Sequence, residues 1–259
     1  MSREGLNLSP NPRLSVRRAA LDYWANEADR HGRFAATRAL AQVLWEFVRD
    51  STPARLRRRY GDADYDWDHR VNTTSAAVGW RDRLLGIFYS PYQPTEPELF
   101  RQMMSTVSEE VTRNGLDFPD FTFVDLGSGK GRTLLMASNY PFRRIVGVEL
   151  LPALHEIARQ NLAQYKNDQQ RCFALESICG DATHYSLPEH PLVIYLFNPF
   201  PEAGLRRFTS NLKESLGTHP RPVYLLYHNP LLERVLEDAL QKVAGTHQYS
   251  LLKSSSEFC

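Results

Sequence analysis

Three glycines at alternate positions, Gly127, Gly129 and Gly131, follow the apolar run Phe121-Thr122-Phe123-Val124-Asp125-Leu126 and precede the helix-forming Thr133-Leu134-Leu135-Met136-Ala137. This pattern describes a strand that turns tightly into a helix. Glycine lets a ligand come close to the backbone, and the helix behind the turn aims free N–H groups at the same spot. Spacing then narrows the ligand. A dinucleotide fingerprint needs its third glycine at position 132, which is Arg132. Asp125, two residues before Gly127, would repel a pyrophosphate but hold an ammonium group. An amino-acid-bearing nucleoside therefore fits better than a nicotinamide dinucleotide.

Two further acids extend the site. Glu149 ends Arg144-Ile145-Val146-Gly147-Val148-Glu149, 22 residues after Gly127, where a carboxylate can accept from both hydroxyls of a ribose. Asp181 follows Cys172-Phe173-Ala174-Leu175-Glu176-Ser177-Ile178-Cys179-Gly180, a third strand and turn, and can accept from an adenine amine. After a fourth strand, Leu192-Val193-Ile194-Tyr195-Leu196-Phe197, comes Asn198-Pro199-Phe200, at the end of the sheet where open α/β folds bind ligands. Any one of these acids is most simply a helix cap or a turn former. Three of them at successive strand ends, with Asn198 as a fourth polar group, point to a binding site instead.

On these four motifs, in this order over about residues 119 to 229, the sequence resembles the class I S-adenosylmethionine-dependent methyltransferases. The resemblance implies an α/β fold with a doubly wound, mainly parallel, Rossmann-like sheet, S-adenosyl-L-methionine as cofactor, and methyl transfer as the activity. It would place Asp125, Gly127 and Gly129, with Ser128 and Gly131 in the same turn, at the methionine end of the cofactor. Glu149 with Leu150 would hold the ribose, and Asp181 with Ala182 the adenine. Asn198-Pro199-Phe200 resembles the Asn/Asp-Pro-Pro-aromatic element of methyltransferases that modify planar amines, less one proline and the Tyr. That implies a catalytic position for Asn198 and Phe200, with Asn198 also beside the cofactor. Tyr92-Gln93-Pro94-Thr95 resembles an aromatic-Pro-Thr segment of certain non-SET protein lysine methyltransferases, which implies that Tyr92 and Thr95 cover the methionine end. His228, at the end of a fifth strand, is a candidate general base near neutral pH, although a lone histidine is more often simply hydrogen-bonded. A nitrogen acceptor, on a protein or a small molecule, is favoured. The alternatives are a non-catalytic nucleoside-binding module and an NAD-dependent oxidoreductase. No Gly-x-Ser-x-Gly elbow suggests a hydrolase.

The elements that must position these groups follow from periodicity. Strands are expected near 144–149, 171–178, 191–197, 221–227 and 247–252, with helices near 130–139, 151–166, 202–216 and 230–242. Only one strand of the terminal hairpin usual in this family is evident. A helix from 96 to about 113 shows an apolar face of Leu99, Phe100, Met103, Met104, Val107 and Val111, with Thr95 as its expected N-cap. Residues 1–95 read as a helical N-terminal region with a lid-like segment, and residues 96–259 as the cofactor-binding domain. Two helices broken at His31-Gly32 are expected between residues 15 and 50. Residues 61–95 lack a period but hold Tyr65, Tyr89 and Tyr92, so they read as a lid rather than as a disordered link.

Composition bounds the rest. The chain has 259 residues, 42% of them hydrophobic, enough for a sizeable core. Its longest apolar run, ending at Phe197, is far shorter than a membrane span, and residues 1–13 do not read as a secretory signal. Cys172, Cys179 and Cys259 lack metal-ligand spacing, and Cys172 and Cys179, in or beside an expected buried strand, read as reduced core residues, so no metal and a cytoplasmic protein are expected. Net charge is +1, yet residues 13–60 hold eleven arginines against five acids. A solvated helix face is the simpler account of that excess. No aromatic-interleaved basic motif accompanies it, so nucleic acid is not the expected partner.

Overall fold

The structure, a computed structural model, describes residues 15–50, 63–74 and 93–254. Seven strands form one sheet: β1 (Thr122–Leu126), β2 (Arg144–Glu149), β3 (Leu175–Cys179), β4 (Leu192–Leu196), β5 (Val223–His228), β6 (Leu240–Gly245) and β7 (Tyr249–Ser254). Their order is β3-β2-β1-β4-β5-β7-β6. The first five are parallel, whereas β7 runs antiparallel to β5 and to β6. Every residue of β1, β4 and β5 is buried, as expected where helices cover both faces of a parallel sheet.

The helices are α1 (Val16–His31), α2 (Arg33–Asp50), α3 (Ala63–His69), α4 (Pro97–Arg113), α5 (Arg132–Ala137), α6 (Pro152–Gln164) and α7 (Glu202–Thr218). Strand residues alternate between two core layers. Phe123, Val193, Tyr195, Tyr224 and Leu226 pack with the expected apolar face of α4 and with Leu134 and Leu135 of α5. Val124, Leu126, Ile194, Leu196 and Leu225 pack with Leu205, Phe208, Leu212 and Leu216 of α7. Order reverses between β1 and β4, and chain leaves the carboxyl ends of these two neighbours toward opposite faces, which opens a crevice there.

Three expectations need correction. Residues 230–242 are not a helix: a single 3-10 turn, Glu233–Val235, is followed by β6, so the hairpin has both its strands. Glu233 accepts from the Ser250 hydroxyl and pairs with Lys242, which ties that turn to the hairpin, while Val235, Leu236 and Leu240 are buried in the second layer. The third strand begins at Leu175, not near 171, and Glu96 rather than Thr95 stands at the N-cap of α4. Of the segment read as lid-like, residues 63–74 contain α3 and contact the glycine turn and α6.

The contacts with the turn are made by its two basic residues. Lys130 and Arg132 are buried. Lys130 Nζ donates to Asn72 Oδ1 at 3.0 Å and to the Thr74 carbonyl at 2.7 Å. Arg132 Nε donates to Thr73 Oγ1 at 2.6 Å, its Nη2 lies 3.2 Å from Asp66 Oδ1, and its guanidinium covers the Tyr65 ring. Asp66 also accepts from the backbone N–H of Thr73 and of Thr74. Asn161 of α6 completes the joint: its Oδ1 accepts from Asn72 N–H, and its Nδ2 donates to the carbonyls of Asn72 and Lys130. Asp66→Ala should therefore lower stability by about 3 kcal/mol, because a buried guanidinium loses its carboxylate and two N–H groups lose their acceptor. Urea unfolding of the variant measures this. A change below about 0.5 kcal/mol would mean the joint contributes no more than an exposed ion pair.

Candidate functional site

A cavity of about 340 Å³ lies at the crevice between β1 and β4. Asp125, Gly127, Ser128, Gly129, Glu149, Leu150, Asp181, Ala182, Thr95, Asn198 and Phe200 all line it, so the structure brings eleven of the sequence candidates to one place. Tyr92 lies outside the described residues. Gly131 is not on the lining: it turns at φ +83°, and an added Cβ would sit 3.3 Å from Ala158 Cβ, so its role is to let α6 approach. Gly127, at φ +87°, has a packing role as well, since a Cβ there would come within 2.7 Å of Pro199.

The two buried acids dominate the electrostatics. Burial, ahead of a hydrogen bond from Thr133 and the neighbouring Glu149, leaves the Asp125 carboxyl raised to about 8. Burial also raises Glu149, although it accepts from the N–H of Gly129 at 2.8 Å and of Leu151 at 2.7 Å. Two carboxyls that resist ionisation side by side favour a ligand that brings a cation to one and hydroxyl donors to the other. The Ser128 hydroxyl, buried on the same lining, makes no hydrogen bond within the described chain and is a further group for a ligand to satisfy. This donor and acceptor set fits an amino-acid-bearing nucleoside. Asp181 is more exposed and spends Oδ1 on the N–H and hydroxyl of Thr183, while Oδ2 lies 3.2 Å from His184 Nδ1. Despite partial burial, these bonds hold its carboxyl below the usual range. Its second oxygen keeps acceptor capacity at the cavity.

Polar groups at the far end are already committed within the protein. Asn198 adopts φ +44° and Asn229 φ +51°, a conformation that non-glycine residues seldom hold. Asn198 Oδ1 accepts from the Tyr227 hydroxyl at 2.8 Å, and its Nδ2 donates to the Asn229 carbonyl at 2.7 Å. Phe200 lines the wall and stacks toward Phe208 at 6.2 Å. His228 does not line the cavity. Its Nδ1 shares a 2.8 Å hydrogen bond with the Tyr195 hydroxyl, its ring stacks on Phe197, and burial pushes its imidazole down to about 4, away from the range of a base working near neutral pH. The Tyr195 hydroxyl also meets Thr95 Oγ1 at 2.7 Å, so Thr95 anchors the loop before α4 to the sheet.

Sequence reasoning missed Thr133, Tyr195, Phe197, Arg207 and Asn229. Thr133, the second residue of α5, could have been found by its distance from Asp125. The others lie on a strand, a helix or a strand end, with no local pattern to mark them.

Comparison with known proteins bears on this geometry. No family model matches the chain. Over 161 residues it is 29% identical to a histone-lysine N-methyltransferase, H3 lysine-79 specific, from Cryptococcus neoformans var. neoformans serotype D, and the match covers 62% of this chain and 22% of that protein. The match thus spans about a fifth of the length of that relative. Similar solved structures include an RNA methyltransferase from Salinibacter ruber in complex with S-adenosyl-L-homocysteine, 20% identical, covering 62% of this chain and 92% of that one at a TM-score of 0.41. A predicted N6-adenine-specific DNA methylase from Listeria monocytogenes is 15% identical, covering 62% and 51% at a TM-score of 0.45. What decides the class is the strand order, five parallel strands closed by an antiparallel β7 and its hairpin partner. The fold is Rossmann-like, a doubly wound, mainly parallel sheet.

Among the described residues no helix is long and apolar enough to cross a membrane. Neither Cys172 nor Cys179 is in a disulfide, and Cys259 lies outside the described residues.

The raised carboxyl of Asp125 has a measurable sign. Its ordinary value is 3.8 and its folded value about 8, so the ligand-free protein keeps this contribution to stability below about 4 and loses it as pH rises to about 8. Asp125→Asn should remove that dependence and raise ligand-free stability at pH 8 by at least about 2 kcal/mol. Denaturant unfolding from acid to mildly basic pH reads it. Parallel pH profiles for the two proteins would place the Asp125 charge elsewhere than in a buried, uncompensated site.

Proposed function

We propose that this chain transfers a methyl group from S-adenosyl-L-methionine to a nitrogen, with a protein lysine ahead of a small-molecule amine. The observation that carries the cofactor is the pairing of buried Asp125 and Glu149 on one cavity wall with the glycine turn between them. Asp125 would hold the ammonium of the methionine end, Glu149 the ribose hydroxyls, and Asp181 with Ala182 the adenine. When bound, the cofactor supplies an electrophilic methyl carbon on a sulfonium, which leaves as a neutral thioether. The chain's own work is then positioning and exclusion of water. In this reading residues 96–259 form the cofactor-binding domain, and residues 1–95, of which Gln93, Pro94 and Thr95 line the cavity, contribute to the acceptor side.

The lysine preference draws on the sequence likeness to the curated histone-lysine methyltransferase and on the Tyr92-Gln93-Pro94-Thr95 segment, whose Pro94 and Thr95 line the cavity. A lysine must lose its proton before its lone pair can attack. The partly apolar wall of Phe197, Pro199 and Phe200 disfavours the charged form and so assists that loss. Asn198 orients the acceptor here: its amide is held in place by Tyr227 and Asn229, and the lone pair left on Oδ1 is available to the acceptor. His228 has no proton-transfer role in this scheme.

Isothermal titration with S-adenosylhomocysteine and with NAD tests the cofactor, and turnover on a cell extract with labelled methyl donor tests the reaction. Glu149→Ala should weaken S-adenosylhomocysteine by about 1.5 to 3 kcal/mol, because a charged acceptor of two hydroxyls is lost. An unchanged dissociation constant would end the ribose assignment. Binding without any labelled product would leave a nucleoside-binding module. On the first acceptor found, Asn198→Ala should lower kcat at least as much as it raises KM while cofactor affinity holds, since orientation acts mainly in the transition state. A fully active Asn198→Ala protein would leave this residue as wall only.

A further inference from the structure

The solvent side of α2 bears a pattern that the proposed reaction does not use. Phe34, Arg38, Ala41, Trp45 and Val48 follow one another at steps of four, three, four and three residues, the spacing of a coiled-coil seam. All five are exposed. Phe34 is 87% exposed, Trp45 66% and Val48 61%, extreme values for side chains of this size. α1 packs against another side of α2, where Ala19 and Ala36 are buried and Trp24 Nε1 donates to Thr37 Oγ1, so the seam is not the interface within the hairpin. Aligned apolar side chains left in water in this way mark a surface that another molecule covers.

We propose that this seam is the interface of a symmetric dimer, in which α2 pairs antiparallel with α2 of a second copy of this chain. The pattern is self-complementary in that arrangement. A two-fold axis between Arg38 and Ala41 sets Phe34 opposite the partner's Trp45, and Arg38 opposite the partner's Ala41, each contact occurring twice. Large then meets small in the middle layers, and two aromatic rings meet in each outer layer. The Arg38 guanidinium falls one layer from the partner's Trp45, within reach of its ring face. Parallel pairing would instead stack Arg38 on Arg38 and leave both aromatic layers as like pairs around that repulsion. An acidic partner would answer Arg38 alone and leave Phe34 and Trp45 uncovered. The seam is about 21 Å long, from 1.5 Å of rise per residue, so the interface is at the small end of specific contacts and its dissociation constant should be micromolar. The inference does not depend on the catalytic reading.

Sedimentation velocity on the full chain, from about 1 to 200 μM to bracket a micromolar equilibrium, should show a monomer passing to a dimer. Trp45→Glu should raise the dissociation constant at least about 30-fold, given the weight aromatic residues carry at interfaces, with the circular dichroism spectrum unchanged. A mixture of Phe34→Cys and Trp45→Cys chains should form a mixed disulfide dimer faster than either variant forms its own. A monomer at every concentration would overturn the proposal, as would a dimer that survives Trp45→Glu. Faster self-linking of Phe34→Cys than of the mixture would overturn the antiparallel arrangement, and a monomeric chain whose seam is covered by another protein would assign the surface to that partner instead.

Discussion

The site depends on two carboxyls buried where a cation and hydroxyl donors are expected to meet them. Asp125 and Glu149 lie at the ends of adjacent parallel strands, β1 and β2, and burial raises both above their ordinary range. Such burial is costly unless a ligand compensates it, so the fold carries a destabilised wall at its crevice. The surrounding structure tolerates this because it is over-determined: complete burial of β1, β4 and β5, and backbone N–H groups that meet Glu149 from two sides. Stability given up at one wall is a common mark of a binding site.

The basic residues of the glycine turn serve a different purpose from the one their position suggests. Lys130 and Arg132 stand where a phosphate would be met in other nucleotide-binding turns, yet both face residues 66–74. Burial, ahead of the opposing Asp66 and the added effect of Arg132, lowers Lys130 to about 8. The turn therefore presents Gly127, Ser128 and Gly129 to the cavity and holds the N-terminal segment with the side chains of Lys130 and Arg132. Thr95 gives a second anchor through Tyr195 and His228, so that chain on both sides of residues 75–92 is tied to the sheet beside the cavity.

Much of this was legible in the sequence because the signals are local. The glycine spacing, the acids at strand ends and the apolar face of α4 each lie within a few residues, where sterics and periodicity act directly. Glu149 and Asp181 were found because a parallel βαβ unit fixes the distance along the chain from one strand end to the next. The helix expected over 230–242 failed for the complementary reason. Its apolar residues have helical spacing, but pairing with β7 at the sheet edge and the grip of Ser250 and Lys242 on Glu233 outweigh that local preference.

What the sequence by itself determined is the class of fold and the residues that meet at the cavity, since both follow from backbone geometry and charge written into short motifs. The tertiary structure alone decided which of those groups are free to act. Asn198 has both ends of its amide engaged, His228 is kept neutral by burial against Tyr195 and Phe197, and Gly131 makes room for Ala158. Each depends on a residue about 30 positions away in the chain, and partners at that separation are set by the packing of strands and helices, which no local pattern encodes.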